Sequence, residues 1–77
     1  MAQRKVSLNR IISGNVARLM TKYGMGLAEF SEKTGITYGS LYNRIRRGMS
    51  WNDTDLSMIC KAFGVTAVSL VREEENE

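Results

Sequence analysis

The sequence predicts an all-α fold, a compact domain of five helices, and three observations support this prediction. The chain of 77 residues contains no proline, and 43% of its residues are hydrophobic, which is enough to form one core. Its apolar residues recur at intervals of three and four, which is the spacing of one face of an α-helix. Glycines follow these apolar stretches at the places where helices commonly end.

The first helix is predicted from one apolar stripe, formed by Leu8, Ile12, Val16, Leu19 and Tyr23. Ser7 can cap the start of this helix, and Gly24 marks its end. Gly14 lies inside the stripe and costs about 1 kcal/mol relative to alanine. A helix that starts near Ser13 is therefore the alternative.

Two short helices follow, and they are predicted over residues 27–34 and 38–47. Gly35 separates them, Thr37 can cap the second one, and Gly48 ends it. The inward-facing residues of the first short helix are Leu27, Phe30 and Ser31. Two helices joined by a tight glycine turn form a helix-turn-helix pattern.

The last two helices are predicted from their caps. Asn52 and Asp55 resemble a capping pair, and Gly64 ends the helix that they start. The inner face of this fourth helix consists of Leu56, Ile59, Cys60 and Phe63. Thr66 can cap a fifth helix over residues 67–72, whose apolar anchors are Val68, Leu70 and Val71. The other residues expected to fill the core or an interface are Met20, Met25, Met49, Trp51 and Met58.

The charge of the chain is unevenly distributed. Four of the eight acidic residues lie in segment 73–77, which is predicted to be a disordered acidic tail. Residues 1–72 carry 11 basic and 4 acidic side chains, a net charge of +7. Residues 1–7 are predicted to form a flexible basic arm, and residues 8–72 the folded domain. A basic body indicates either a polyanionic partner or a soluble surface that is merely basic.

The residue types that the chain lacks exclude several classes of function. Its one cysteine, Cys60, forms no internal disulfide, and without histidine there is no zinc site. General acid–base catalysis lacks its usual residues, so an enzyme is not expected, nor is a cofactor or a small-molecule ligand. The apolar runs are too short to span a bilayer, and the N-terminus lacks the apolar stretch of a signal peptide, which indicates a cytoplasmic protein.

Four stretches carry a family resemblance, and they read NVARLMTKYGM, EKTGIT, RIRRG and MICKAFGVTAVSL. In their order and spacing they resemble the Cro and lambda-repressor-like family, also called the XRE family, over residues 12–71. The resemblance implies a five-helix lambda-repressor-like DNA-binding domain, with the helix-turn-helix at helices 2 and 3. The partner would be double-stranded DNA, with helix 3 in the major groove and helix 2 across the backbone.

Three positions depart from the family pattern. Leu27 stands where the family often has a glutamine that contacts a phosphate, and Ser31 stands where an alanine usually packs between the two helices. Arg44 stands where an apolar residue is usual, and Ile45 follows it. Leu41 and Ile45 still share a face at i, i+4, which is consistent with a slight rotation of the third helix.

A helical wheel with Leu41 directed to the core identifies the face of the third helix that can reach DNA. The residues opposite the core are Gly39, Asn43, Arg46 and Arg47. Tyr42 lies at the border of this face, and Tyr38 lies nearer the core side. Arginine can bind guanine through two hydrogen bonds, and asparagine can bind adenine in the same way. The alternative is an ordinary solvated helix end. The family resemblance adds Thr37, Tyr38 and Ser40 as residues that contact bases or phosphates.

Further residues are predicted to contact the DNA backbone. Arg4, Lys5 and Arg10 can follow the backbone or a minor groove, as basic arms do, and the alternative is an unstructured tail. Ser50 and Asn52 lie at the start of the fourth helix, where backbone amides can hold a phosphate.

These observations predict a sequence-specific transcriptional repressor that occupies a DNA operator. Because the chain ends soon after the fifth helix, we expect no ligand-sensing domain, as in Cro-type regulators of phage or prophage genes. A homodimer on a palindromic site is a further expectation, with the fifth helix and the Trp51 loop as candidate surfaces. The alternatives are an antitoxin or recombination accessory protein, and a helix-turn-helix module that binds other proteins.

Overall fold

The computed structural model describes residues 7–72, and within this range the chain forms five α-helices and no strand. The helices are α1 (Leu8–Lys22), α2 (Leu27–Thr34), α3 (Tyr38–Arg46), α4 (Asp53–Phe63) and α5 (Ala67–Val71). The predicted all-α, five-helix fold is confirmed. The predicted acidic tail and most of the predicted basic arm, with Arg4 and Lys5, lie outside the described residues.

The predicted helix caps are present. The side chains of Ser7, Thr37 and Thr66 each accept a hydrogen bond from the backbone amide three residues later. At the start of α4 the Asp55 amide donates to Asn52 Oδ1 at 2.8 Å, and the Asn52 amide donates to Asp55 Oδ2 at 3.3 Å. These bonds satisfy amides that have no acceptor within their own helix, so they fix where each helix begins.

The helix ends agree with the glycine signals to within one residue. Gly35 and Gly64 take the left-handed conformation directly after α2 and α4, with φ values of 88° and 66°. The structure ends α3 and α5 one residue earlier than predicted, with Arg47 and Arg72 as C-caps. The start of α1 is at Leu8, so the alternative start near Ser13 is wrong.

Replacement by alanine should change the stability in opposite directions at two glycines. Gly14 lies inside α1, where an added Cβ meets only a side-chain atom at 4.0 Å, so Gly14→Ala should stabilise the fold by about 0.5 to 1 kcal/mol. Gly35 has φ +88° and faces Met58, so Gly35→Ala should destabilise it by about 1 to 2 kcal/mol. Urea denaturation of both variants measures these changes. Shifts in the same direction would contradict the backbone described here.

The core is built from one fully buried side chain on each of the first four helices. These side chains are Val16, Phe30, Leu41 and Ile59. The other buried apolar residues of the core are Ile12, Ile36, Trp51 and Leu70. Trp51, which was expected to pack in a core or an interface, is therefore a core residue. The Phe30 ring also stacks on Phe63, with centroids 5.3 Å apart.

Helix α5 is held on α1 by one buried amide. Asn15 Nδ2 donates to the carbonyl of Leu70 at 2.6 Å and to the carbonyl of Arg72 at 2.9 Å. The last carbonyls of a helix have no hydrogen-bond donor within that helix. The Asn15 side chain supplies this donor to α5 from the neighbouring helix α1. Sequence patterns did not single out Asn15.

Several apolar residues lie elsewhere than predicted. Val68 was expected to anchor α5 but is 65% exposed, because the side of this short helix that meets the core carries the other two predicted anchors, Leu70 and Val71. Leu8 and Tyr23 of the α1 stripe lie at the two ends of α1 and are exposed, although the Tyr23 ring packs on Phe63 with centroids 5.1 Å apart. Met49 is exposed as well. The other apolar residues predicted to face inward lie partly buried against the core, and they are Leu19, Met20, Met25, Leu27, Leu56, Met58, Cys60, Phe63 and Val71.

Candidate nucleic-acid interface

The turn between α2 and α3 is fixed by short polar contacts. Ser31 Oγ donates to the carbonyl of Ile36 at 2.6 Å, and the Ile36 amide donates to Thr34 Oγ1 at 3.2 Å. Ile36 itself is buried, and Gly35 supplies the left-handed turn. The serine at a position where the related family usually has alanine therefore has a structural role, because it binds the turn. These contacts hold α2 and α3 as one helix-turn-helix unit.

Helix α3 has one side in the core and the other in solvent. Leu41 is fully buried, and Ile45 packs against the core as the wheel predicted. The predicted DNA-contacting residues that are exposed are Thr37, Tyr38, Gly39, Tyr42, Arg46 and Arg47, and those that are half-buried are Ser40 and Asn43. The structure thus brings all eight residues together along one helix and its cap, with no large side chain over Gly39.

The wheel prediction for Tyr38 is wrong. It was placed nearer the core side, but it is 52% exposed. The wheel gives an angle around the axis and says nothing of position along it, and Tyr38 is the first residue of α3, beyond the edge of the core. Its exposure makes it more available to DNA than the wheel indicated.

A largely buried ion pair joins α3 to α4. Arg44 Nε lies 2.5 Å from Asp55 Oδ2, and the two side chains are 17% and 9% exposed. Arg44 Nη1 also donates to the carbonyl of Ser40 at 3.2 Å. The guanidinium at a position where the family usually has an apolar residue is thus paired with a carboxylate, and it links α3 to α4.

The loop after α3 is held by α1. Asn9 Nδ2 donates to the carbonyls of Gly48 and Met49, both at 3.0 Å, and Asn9 Oδ1 accepts from the Trp51 amide at 2.9 Å. Ser13 Oγ accepts from Trp51 Nε1 at 2.9 Å and donates to the carbonyl of Arg44 at 3.3 Å. These bonds join residues far apart in sequence, so no local pattern could have identified them.

Comparison with protein families decides what this helix pair is. Residues 15–69 match the family model of the Cro/C1-type HTH DNA-binding domain. The protein belongs to this family. No curated protein and no solved structure gives a significant match to the chain. As a Cro/C1-type helix-turn-helix protein it is a DNA-binding regulator, and its partner is double-stranded DNA.

The match places the Cro/C1-type unit within the described structure. It covers all of α2, α3 and α4, whereas the first two turns of α1, with Asn9, Arg10 and Ser13, precede it. No helix among residues 7–72 is both long enough and apolar enough to cross a membrane.

Among the described residues, those predicted to contact the DNA backbone lie at two places in the structure. Arg10 is exposed on the first turn of α1, beside the C-terminus of α3. Ser50 and Asn52 are exposed before α4, but the Asn52 amide already donates to Asp55, and Asp53 adds another carboxylate to the first turn. A phosphate contact at the start of α4 stays a prediction.

Proposed function

We propose that the protein is a sequence-specific transcriptional repressor that places α3 in the major groove of an operator. The observation that carries this proposal is the two-sided character of α3. Leu41 is fully buried on one side, the exposed Arg46 offers hydrogen-bond donors on the other, and Asn43 is half-buried. The major groove admits an α-helix and offers a distinct set of donors and acceptors for each base pair.

The side chains of α3 suit different parts of the operator. Arg46 fits the two acceptors of guanine, and Asn43 fits the donor and acceptor of adenine. Gly39 lets the helix backbone approach the DNA closely, because no side chain stands in between. The exposed rings of Tyr38 and Tyr42 offer apolar surface to thymine methyl groups and hydroxyl groups to phosphates.

Repression then follows from occupancy, since a protein bound to an operator blocks polymerase or a rival regulator. We propose a Cro-like regulator of phage or prophage genes that acts in the bacterial cytoplasm, without enzymatic activity and without a cofactor. We further propose a homodimer on a palindromic site, with half-sites one DNA turn, about 34 Å, apart. Family membership supports these finer points by similarity alone.

The test is a binding titration with DNA fragments from around the gene of the protein, for wild type, Asn43→Ala and Arg46→Ala. We expect one fragment to bind far more tightly than the others, and each substitution to weaken that binding by about 1 to 3 kcal/mol. Lys61→Ala, which removes an exposed charge on α4 outside the interface, is the matched control and should leave the preference between fragments unchanged.

The other outcomes separate the alternatives. Equal binding to every fragment, indifferent to Asn43→Ala, would refute sequence-specific recognition and leave only electrostatic attachment. No binding even at low salt would refute the repressor and favour a module that binds other proteins.

A further inference from the structure

A cavity of about 570 Å³ lies between the first turn of α1 and the C-terminal end of α3. We call it the arginine cavity, because Arg10 from α1 and Arg46 and Arg47 from the end of α3 line it. Sequence reasoning assigned Arg10 to a basic arm and the other two arginines to base reading. The structure brings the three residues together around one space.

The charge of the arginine cavity is not compensated within its own lining. A fourth arginine, Arg44, also lines it, but the buried Asp55 neutralises that guanidinium. Among the described residues 7–72, no acidic residue lines the cavity, and the first turn of α1 contains none. Several positive charges around one space favour an anion, and guanidinium groups bind phosphate oxygens through paired hydrogen bonds.

The cavity is also held in shape before any ligand arrives. Asn9 binds the carbonyls of Gly48 and Met49, and Ser13 binds the carbonyl of Arg44. These bonds fix the backbone at the start of α1 against the end of α3, whereas the three arginine side chains are exposed. Because the backbone is already in place, the conformational entropy lost on binding is that of the side chains alone.

We propose that the arginine cavity holds a single phosphate of the DNA backbone, clamped between Arg10 and Arg47 beside the groove that α3 reads. This inference rests on the proposed function, because it needs α3 in the major groove. It adds a contact from the part of α1 that precedes the family match at residues 15–69. The clamp fixes the position of α3 on the duplex and carries no base preference itself.

The test measures how DNA affinity depends on salt, with a short duplex of mixed sequence as the probe. For each phosphate that a protein neutralises, the slope of log K against log[salt] steepens by about 0.9. If Arg10 and Arg47 share one phosphate, the double variant Arg10→Gln/Arg47→Gln should lower the slope by about 0.9, and each single variant by less. Lys61→Gln, an exposed charge-matched control, should leave the slope unchanged.

Each remaining outcome overturns a different statement. A loss of about 1.8 in the double variant would mean two separate phosphates and no clamp. If the wild type binds DNA with the usual salt dependence and the slope is the same in all variants, the clamp is refuted and the proposed function is not. If the wild type shows no salt-dependent affinity for DNA, the proposed function is refuted. If inorganic phosphate without DNA saturates Arg10 signals in an NMR titration while the DNA slope stays unchanged, the cavity takes a free anion and not the backbone.

Discussion

Phe30→Ala should remove most of the stability of the protein. The Phe30 side chain is fully buried, and its ring stacks on Phe63. Truncation of a buried phenylalanine to alanine costs about 3 to 5 kcal/mol, since apolar contacts are lost and a cavity remains. A single domain is stable by only about 5 to 15 kcal/mol, and a domain this small buries comparatively little surface. The expected fall in Tm is therefore at least about 12 °C.

Thermal unfolding followed by circular dichroism measures this change, and Val68→Ala is its control. Val68 was expected from the sequence to anchor α5, but it is largely exposed, so its truncation should change the free energy of unfolding by no more than about 0.5 kcal/mol. Equal losses in the two variants would mean that Val68 is covered in solution and that the described packing of α5 is incomplete.

Helix boundaries could be predicted because the signals that set them are local. Ser7, Thr37 and Thr66 each bind an amide three residues later, so the cap and its partner lie within one short window of sequence. The pair Asn52 and Asp55 is visible for the same reason. Glycines in the left-handed conformation end helices through their own backbone, whatever the rest of the fold does.

Contacts between helices could not be predicted in the same way. Asn9 binds a loop about 40 residues away, and the carbonyls that it binds carry no sequence signal. Asp55 was visible as half of a capping pair, but its second role, as the partner of Arg44, depends on how α3 lies on α4. The arginine cavity likewise exists only because α1 and the end of α3 meet.

The candidate DNA-reading face was predictable to the extent that it follows the helical period. With Leu41 in the core, the wheel places Gly39, Asn43, Arg46 and Arg47 on the side away from it, and all of these except the half-buried Asn43 are exposed. The wheel failed for Tyr38, where position along the axis decides exposure. Contact of these residues with bases stays a prediction for the binding experiments.

Asp55→Ala should cost about 3 to 5 kcal/mol of folding stability, the loss typical of a buried ion pair with one partner removed. The substitution leaves the Arg44 guanidinium, which is 17% exposed, without its carboxylate. It also removes the acceptor of the Asn52 amide, so α4 loses half of its capping box. Urea denaturation gives the change in free energy, and Asp53→Ala, an exposed carboxylate on the same turn, is the matched control, with an expected loss below about 1 kcal/mol.

Removing the other partner of the same ion pair should have a smaller effect. Arg44→Met should lower the folding stability by about 1.5 to 3 kcal/mol, the value of a hydrogen bond to a charged group. Asp55 then keeps the Asn52 amide and the positive end of the α4 dipole, while methionine fills the space of the arginine stem. A loss as large as that of Asp55→Ala would show that Arg44 alone stabilises the charge of the Asp55 carboxylate.

Because Arg44→Met should remain folded, its effect on DNA recognition can be measured separately from its effect on stability. If the ion pair orients α3, this variant should discriminate less between an operator and other DNA at a temperature where it is fully folded.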